Sequence, residues 1–255
     1  MVDVIANGVR HHVQRLGHGE ETVVFVHGLV MDNLSSFYFT LASPVAATSD
    51  VVLYDLRGHG MSERPAAGYA VADLVSDLAA LLAALAIDRP VALVGNSFGG
   101  LVALAFAAKY PDRVTRLALI DAHDGTAGWA AQMSATLTLR GTARDAKIAE
   151  SFADWLGRHS ERKRNRLVRI AGALIGETSL VTDLGTSPAL TAESLARIVC
   201  PTLALYGEFS DVRDRGEALA ETLPACTFHS YPGCGHSVLW EATAAVRTRV
   251  VEFLR

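Results

Sequence analysis

Cysteine is scarce in this 255-residue chain, and the three present, Cys200, Cys226 and Cys234, form an odd and scattered set. That excludes a disulfide-stapled secreted scaffold; the thiols read as small buried hydrophobes in a reducing, cytoplasmic setting. Long apolar runs are missing too. The longest, Leu78 to Ile87, is far short of the roughly 20 residues that cross a bilayer, so no membrane partner is expected. The start, MVDVIANGVRHH, lacks an apolar h-region and a cleavage site, which argues against a secretory signal. There is no strong excess of charge: the formal net value is −4, and nucleic acid is not an expected partner. Repeats and low-complexity tracts are absent. No metal is expected, because the adjacent His11 and His12 would face opposite sides of a strand; no cofactor is expected either. What remains is a chain half apolar and one-fifth charged. It suits one large globular domain, or a domain carrying an insertion, with a small-molecule substrate as partner. A homodimer stays open.

Two kinds of segment alternate. Near-continuous apolar runs at 22–26, 51–54, 91–94, 114–120 and 202–206 read as strands covered on both faces. Helical spacing of Val71, Leu74, Val75, Leu78, Leu81, Leu82 and Leu85 marks one helix; others run over 98–109, ending at Tyr110-Pro111, and from about 239 to 254. This alternation predicts a mostly parallel sheet with helices on both sides, flanked by an N-terminal hairpin that turns at Asn7-Gly8. Between Ala122 and Arg197 the strands stop and helical patterns appear at 127–139, 144–157 and 162–176. The expected organisation is a core of 1–121 and 198–255 with a helical cap of 122–197. The cap's basic run, Arg158 to Arg169, reads first as a solvated helix face and second as an anion-binding patch.

Chemistry concentrates at Gly95-Asn96-Ser97-Phe98-Gly99, between a strand and a helix. A nucleophile on so tight a turn needs small neighbours, and the helix N-terminus behind it favours a developing anion. Ser97 is the candidate nucleophile, and the Phe98 N–H a candidate oxyanion donor. The second donor is expected from Leu29, after His27-Gly28 at another strand end. Asp32 and Asn33 follow; they either touch substrate or cap a helix starting near Ser35. A serine hydroxyl needs a base, and His236, in a Gly-rich loop before the last helix, fits better than His27. The imidazole needs a carboxylate. Asp211, after the strand TLALYG, is the first choice; Asp121, at the end of LALID, is the main rival, and Glu208 the other.

Together these segments resemble the α/β-hydrolase superfamily, along nearly the whole chain. The carriers are His27-Gly28, the turn Asp55-Leu56-Arg57-Gly58-His59-Gly60-Met61-Ser62, the GNSFGG elbow, the late acid loop and Gly233-Cys234-Gly235-His236. The resemblance implies an α/β-hydrolase fold: an eight-stranded, mostly parallel sheet with helices on both faces and an inserted helical cap. It also implies that Arg57 and His59 are scaffold. Many relatives place the acid three residues after the strand-ending glycine. Here Ser210 fills that place and Asp211 follows; a one-residue bulge would restore the geometry for Asp211. Serine at the elbow counts against subfamilies that use aspartate there. The activity implied is hydrolysis of an ester, thioester or lactone of a small, largely apolar substrate through an acyl-enzyme. Two alternatives remain. The elbow and the Trp240-Glu241 pair resemble ring-cleavage-product C–C hydrolases, with Arg140 or Arg144 as candidates for an acidic substrate tail and Trp240 as a candidate substrate contact. The other is a ligand-binding or non-hydrolytic relative.

Overall fold

The computed structural model describes residues 2–126, 128–139, 141–143 and 161–255. The expected helix at 144–157, and Arg140, Arg144 and Arg158, lie outside them. The eight strands are β1 (Val2–Ala6), β2 (Val9–Leu16), β3 (Thr22–Val26), β4 (Asp50–Tyr54), β5 (Val91–Asn96), β6 (Val114–Ile120), β7 (Thr202–Gly207) and β8 (Cys226–Tyr231). They form one sheet in the order β1-β2-β4-β3-β5-β6-β7-β8. β1 and β2 make the N-terminal hairpin, β2 runs antiparallel to β4, and every other pairing is parallel. This is the mostly parallel sheet that the alternating pattern predicts, and its eight strands are those that the resemblance to the α/β-hydrolase superfamily implies.

Continuous apolar strands work here because both faces are covered. In β3, Val24 and Val26 join a cluster with Leu78 and Leu82 of α1 (Val71–Ala84) and Phe106 of α2 (Phe98–Lys109). Val23 and Phe25, alternating to the other face, pack with Leu41 from the helical stretch 35–45 and with Val246 and Val250 near the C-terminus.

Between β6 and β7 the described elements are helical: α3 (Trp129–Leu137), α4 (Glu161–Glu177), α5 (Leu180–Gly185) and α6 (Ala192–Ala196). After β7 come α7 (Arg213–Thr222), α8 (Val238–Glu241) and α9 (Thr243–Phe253). The single C-terminal helix expected from 239 is therefore two, broken at Ala242, whose backbone leaves helical geometry at φ −120° and ψ 34°. No described helix is long and apolar enough to cross a membrane.

Parallel registry fixes the site. Val26 stands beside Gly95, Asn96 beside Ile120, and Ile120 beside Leu205. The carboxyl ends of β3, β5, β6 and β7 thus deliver His27, Ser97, Asp121 and Gly207 to one edge of the sheet. That is where open α/β sheets bind ligands.

Candidate active site

Ser97 joins β5 to α2 with φ 52° and ψ −119°, outside the conformations most side chains tolerate. Its N–H donates to the Ile120 carbonyl at 2.9 Å, tying the elbow to β6. Close approach explains the flanking glycines. A Cβ at Gly95 would stand 2.6 Å from the Gly100 Cα, and one at Gly99 would stand 2.0 Å from the Val26 carbonyl oxygen. Phe98 opens α2, so its N–H has no intrahelical acceptor.

The His236 Nε2 lies 3.0 Å from the Ser97 Oγ. Its loop is held by Glu241, whose carboxylate accepts the Gly235 N–H at 2.6 Å. Glu208 is committed to the same loop, accepting the Gly233 N–H at 2.8 Å. On the far side of the imidazole, Nδ1 is 2.6 Å from Asp121 Oδ2 and 3.6 Å from Asp211 Oδ1.

This distance order reverses the sequence preference for Asp211. Asp121 is fully buried, whereas the Asp211 side chain is 61% exposed. The cause lies in the turn after β7. Ser210, not a carboxylate, turns inward there, and its hydroxyl donates to Asp121 Oδ2 at 2.5 Å. The Gly207 N–H donates to Asp121 Oδ1 at 2.9 Å. The acid on the neighbouring strand therefore fills the space behind the imidazole, with two protein donors fixing it.

The loop after β3 is braced from below. Leu56 N–H donates to His27 Nε2 at 3.0 Å, so the proton is on Nδ1, which donates to the Gly28 carbonyl at 2.7 Å. His59 works in the same way: Nε2 accepts the Val30 N–H at 2.8 Å, and Nδ1 faces the Arg57 carbonyl at 2.8 Å. Burial pushes His59 down to about 3, so it stays neutral. Arg57 reaches Asp77 on α1, Nε to Oδ2, at 2.6 Å. Both residues of the 55–62 turn are thus part of the scaffold. Asp32 accepts the Gly28 N–H at 2.7 Å and the Asn33 N–H at 2.8 Å, and also borders the cavity. Asn33 accepts the Ser35 N–H at 3.0 Å and is not in the cavity wall.

Ser97 and His236 open onto a cavity of about 550 Å³. Leu29 and Phe98 border its floor, and Trp129, Met133, Ile175 and Trp240 supply apolar wall. Among the polar wall residues that sequence reasoning overlooked are His123 and Arg215. His123 lies just past β6, where the sequence offers no motif, and Arg215 sits on α7, which was not expected as a helix. The described residues hold no cluster of histidine, cysteine or acidic side chains suited to a metal.

A hydroxyl on a strained strand–helix elbow, an imidazole at hydrogen-bond distance and a buried carboxylate behind it, at the carboxyl edge of a parallel sheet, define a hydrolase-type site. Residues 21–243 match the family described as alpha/beta hydrolase fold. The chain belongs to that family and is an enzyme of it. It is 30% identical over 275 residues to a 2-hydroxy-6-oxononadienedioate/2-hydroxy-6-oxononatrienedioate hydrolase of Burkholderia vietnamiensis, covering 100% of this chain and 94% of that one. It is 31% identical over 240 residues to a pimeloyl-acyl-carrier-protein methyl ester esterase of Chromobacterium violaceum, covering 88% and 90%. Among solved structures, a thermophilic esterase from Thermogutta terrifontis superposes with a TM-score of 0.80 at 24% identity, covering 100% of this chain and 97% of that one. That likeness speaks for the fold.

Proposed function

We propose that the enzyme hydrolyses an ester, thioester or lactone of a small, largely apolar substrate through an acyl-enzyme. Ser97 is the nucleophile, His236 the base, and Asp121 the acid that orients it. The observation that carries this reading is the chain of contacts from Ser97 Oγ to His236 Nε2 at 3.0 Å and from Nδ1 to Asp121 at 2.6 Å. Residues 122–197 are read as a cap over the core of 1–121 and 198–255.

In the first step Ser97 Oγ bonds to the carbonyl carbon as its proton passes to His236 Nε2. The oxyanion takes hydrogen bonds from the Leu29 and Phe98 N–H groups, reinforced by the partial positive charge at the start of α2. The Asp121 carboxylate stabilises the imidazolium without taking its proton. Collapse breaks the bond to the leaving atom, which receives that proton. Water then repeats the sequence on the acyl-enzyme, its proton moving to His236 and on to Ser97 Oγ.

The test is release of a chromophore from a short-chain nitrophenyl ester. A burst matching the enzyme concentration, abolished in Ser97→Ala, supports the reading. No labelling of Ser97 by an active-site phosphonate sinks it. A second reading, C–C hydrolysis of a dienol-keto acid, draws on the GNSFGG elbow and on the name of the Burkholderia relative. Turnover of such an acid without useful esterase activity would favour it.

A further inference from the structure

One polar group in the cavity has no task in the mechanism above. His123 is 9% exposed and contributes to the cavity wall. Its ring lies 5.5 Å from that of His236 and 5.8 Å from that of Trp129, centroid to centroid. The backbone holds it there: its N–H donates to the Ser97 carbonyl at 3.2 Å, and Tyr206 Oη donates to the neighbouring Ala122 carbonyl at 2.9 Å. The side chain is different, because Nδ1 is buried with no hydrogen-bond partner among the described residues.

That vacancy decides the tautomer. A buried N–H with no acceptor is rarer in folded proteins than an unsatisfied acceptor. The proton therefore belongs on Nε2, and the ring that carries it is part of the cavity wall. Burial pushes the ring down to about 3, with His236 and Arg215 adding to the effect, so at neutral pH it is an uncharged donor. Position assigns what it meets. His236 protonates the leaving atom, so the group beside His236 lies next to the leaving side of the substrate.

Charge narrows the ligand further. Asp121 and Asp211 flank His236, and Asp32 borders the same cavity. The described cation in the wall, Arg215, is engaged by Asp124 at 3.3 Å and by Thr126. An anionic leaving side would face this excess of carboxylate; a neutral oxygen would not.

We infer that His123 is a substrate-binding residue that donates a hydrogen bond to an uncharged acceptor oxygen, an ether, hydroxyl or carbonyl, on the leaving side of the scissile bond. The inference rests on the hydrolase reading for its orientation, and it names the substrate class: esters or lactones with an oxygen-bearing leaving portion.

The experiment compares 2-methoxyethyl and butyl esters of one acyl chain, which match in length and differ in a single acceptor. Their kcat/KM ratio in the wild type should exceed that in His123→Phe by roughly tenfold, with His123→Gln, which keeps an N–H donor, recovering part of it. Melting curves identify any variant that has not folded. Equal ratios in wild type and His123→Phe, or an equal loss on both esters, would overturn the inference and leave His123 as packing. If neither ester turns over, it is the ester-hydrolase reading that has failed. Binding of the same pair to Ser97→Ala and to Ser97→Ala/His123→Phe, measured by calorimetry, then still decides: the methoxyethyl preference must appear in the first and vanish in the second.

Discussion

Three non-glycine residues bordering the site hold positive φ: Val30 at 66°, Ser97 at 52° and Asp121 at 46°. Each such conformation costs on the order of 1–3 kcal/mol and persists only where its surroundings over-determine it. Asp121 is the clearest case. Its N–H donates to the Leu205 carbonyl at 2.7 Å while its carboxylate takes Gly207 N–H and Ser210 Oγ. The backbone is bent so that a buried carboxylate meets His236. Asp121→Asn should therefore lower kcat by roughly 10³–10⁴, the scale seen when a triad acid loses its charge, whereas Asp211→Asn should cost under about tenfold. Steady-state hydrolysis of one chromogenic ester compares them; equal losses would return the role to both carboxylates. On the proposed reading, Ser210, whose hydroxyl donates to Asp121 Oδ2, acts through that carboxylate as a positioning residue. Ser210→Ala is expected to lower kcat about tenfold with KM unchanged, and Ser210→Thr to restore most of it, because one hydrogen bond to a charged group is lost and regained. The contact between Ser97 and His236 was legible as a candidate pairing because each residue sits in a glycine-marked local motif. The carboxylate nearest the imidazole was not. Asp121 reaches the imidazole only because β6 and β7 are neighbours in a particular register, and nothing local in LALID encodes that.

Elements succeed or fail as readable features according to how far they are buried. The inner strands carry continuous apolar runs and were visible in the sequence. β8, CTFHSY, lies at the sheet edge, mostly half-exposed, and its mixed composition gave no strand signal. α7 hid for a similar reason: RDRGEALAET presents few apolar positions. The 55–62 turn holds Arg57 and His59 in buried contacts, and its anchor is a contact between elements. Arg57 and Asp77 are nearly fully buried and paired, with His11 Nε2 3.8 Å from the same carboxylate. Removing one partner leaves the other charge uncompensated. Asp77→Asn should cost about 3–5 kcal/mol in urea unfolding. Because His59 in that turn accepts the Val30 N–H, activity should fall with it. A variant as stable as the wild type would show that the pair does not anchor the turn.

At the level of the whole molecule, buried neutral imidazoles set an acid limit on stability. Burial holds His59 and His123 down at about 3, and His11 is lowered for the same reason. In the unfolded chain a histidine takes its proton near pH 6.5. Below that value the unfolded state binds more protons than the folded one, so the contribution of these rings is complete above about pH 6.5 and is lost progressively as pH falls toward 3. Two such groups remove about 3 kcal/mol between pH 7.5 and 5.5, with a slope approaching roughly 2.7 kcal/mol per pH unit below that. For a domain of this size the melting temperature should drop by roughly 6–12 °C over the interval. Scanning calorimetry across that range measures it, and a flat profile would mean that the buried rings accept protons without unfolding. His123→Phe separates the contributions. It removes one of the two strongest sites, so its melting temperature should fall about half as steeply with acid, whatever its value at pH 7.5. The same ring that we assign to the substrate's leaving side would thus register in stability as a proton that the folded enzyme declines to bind.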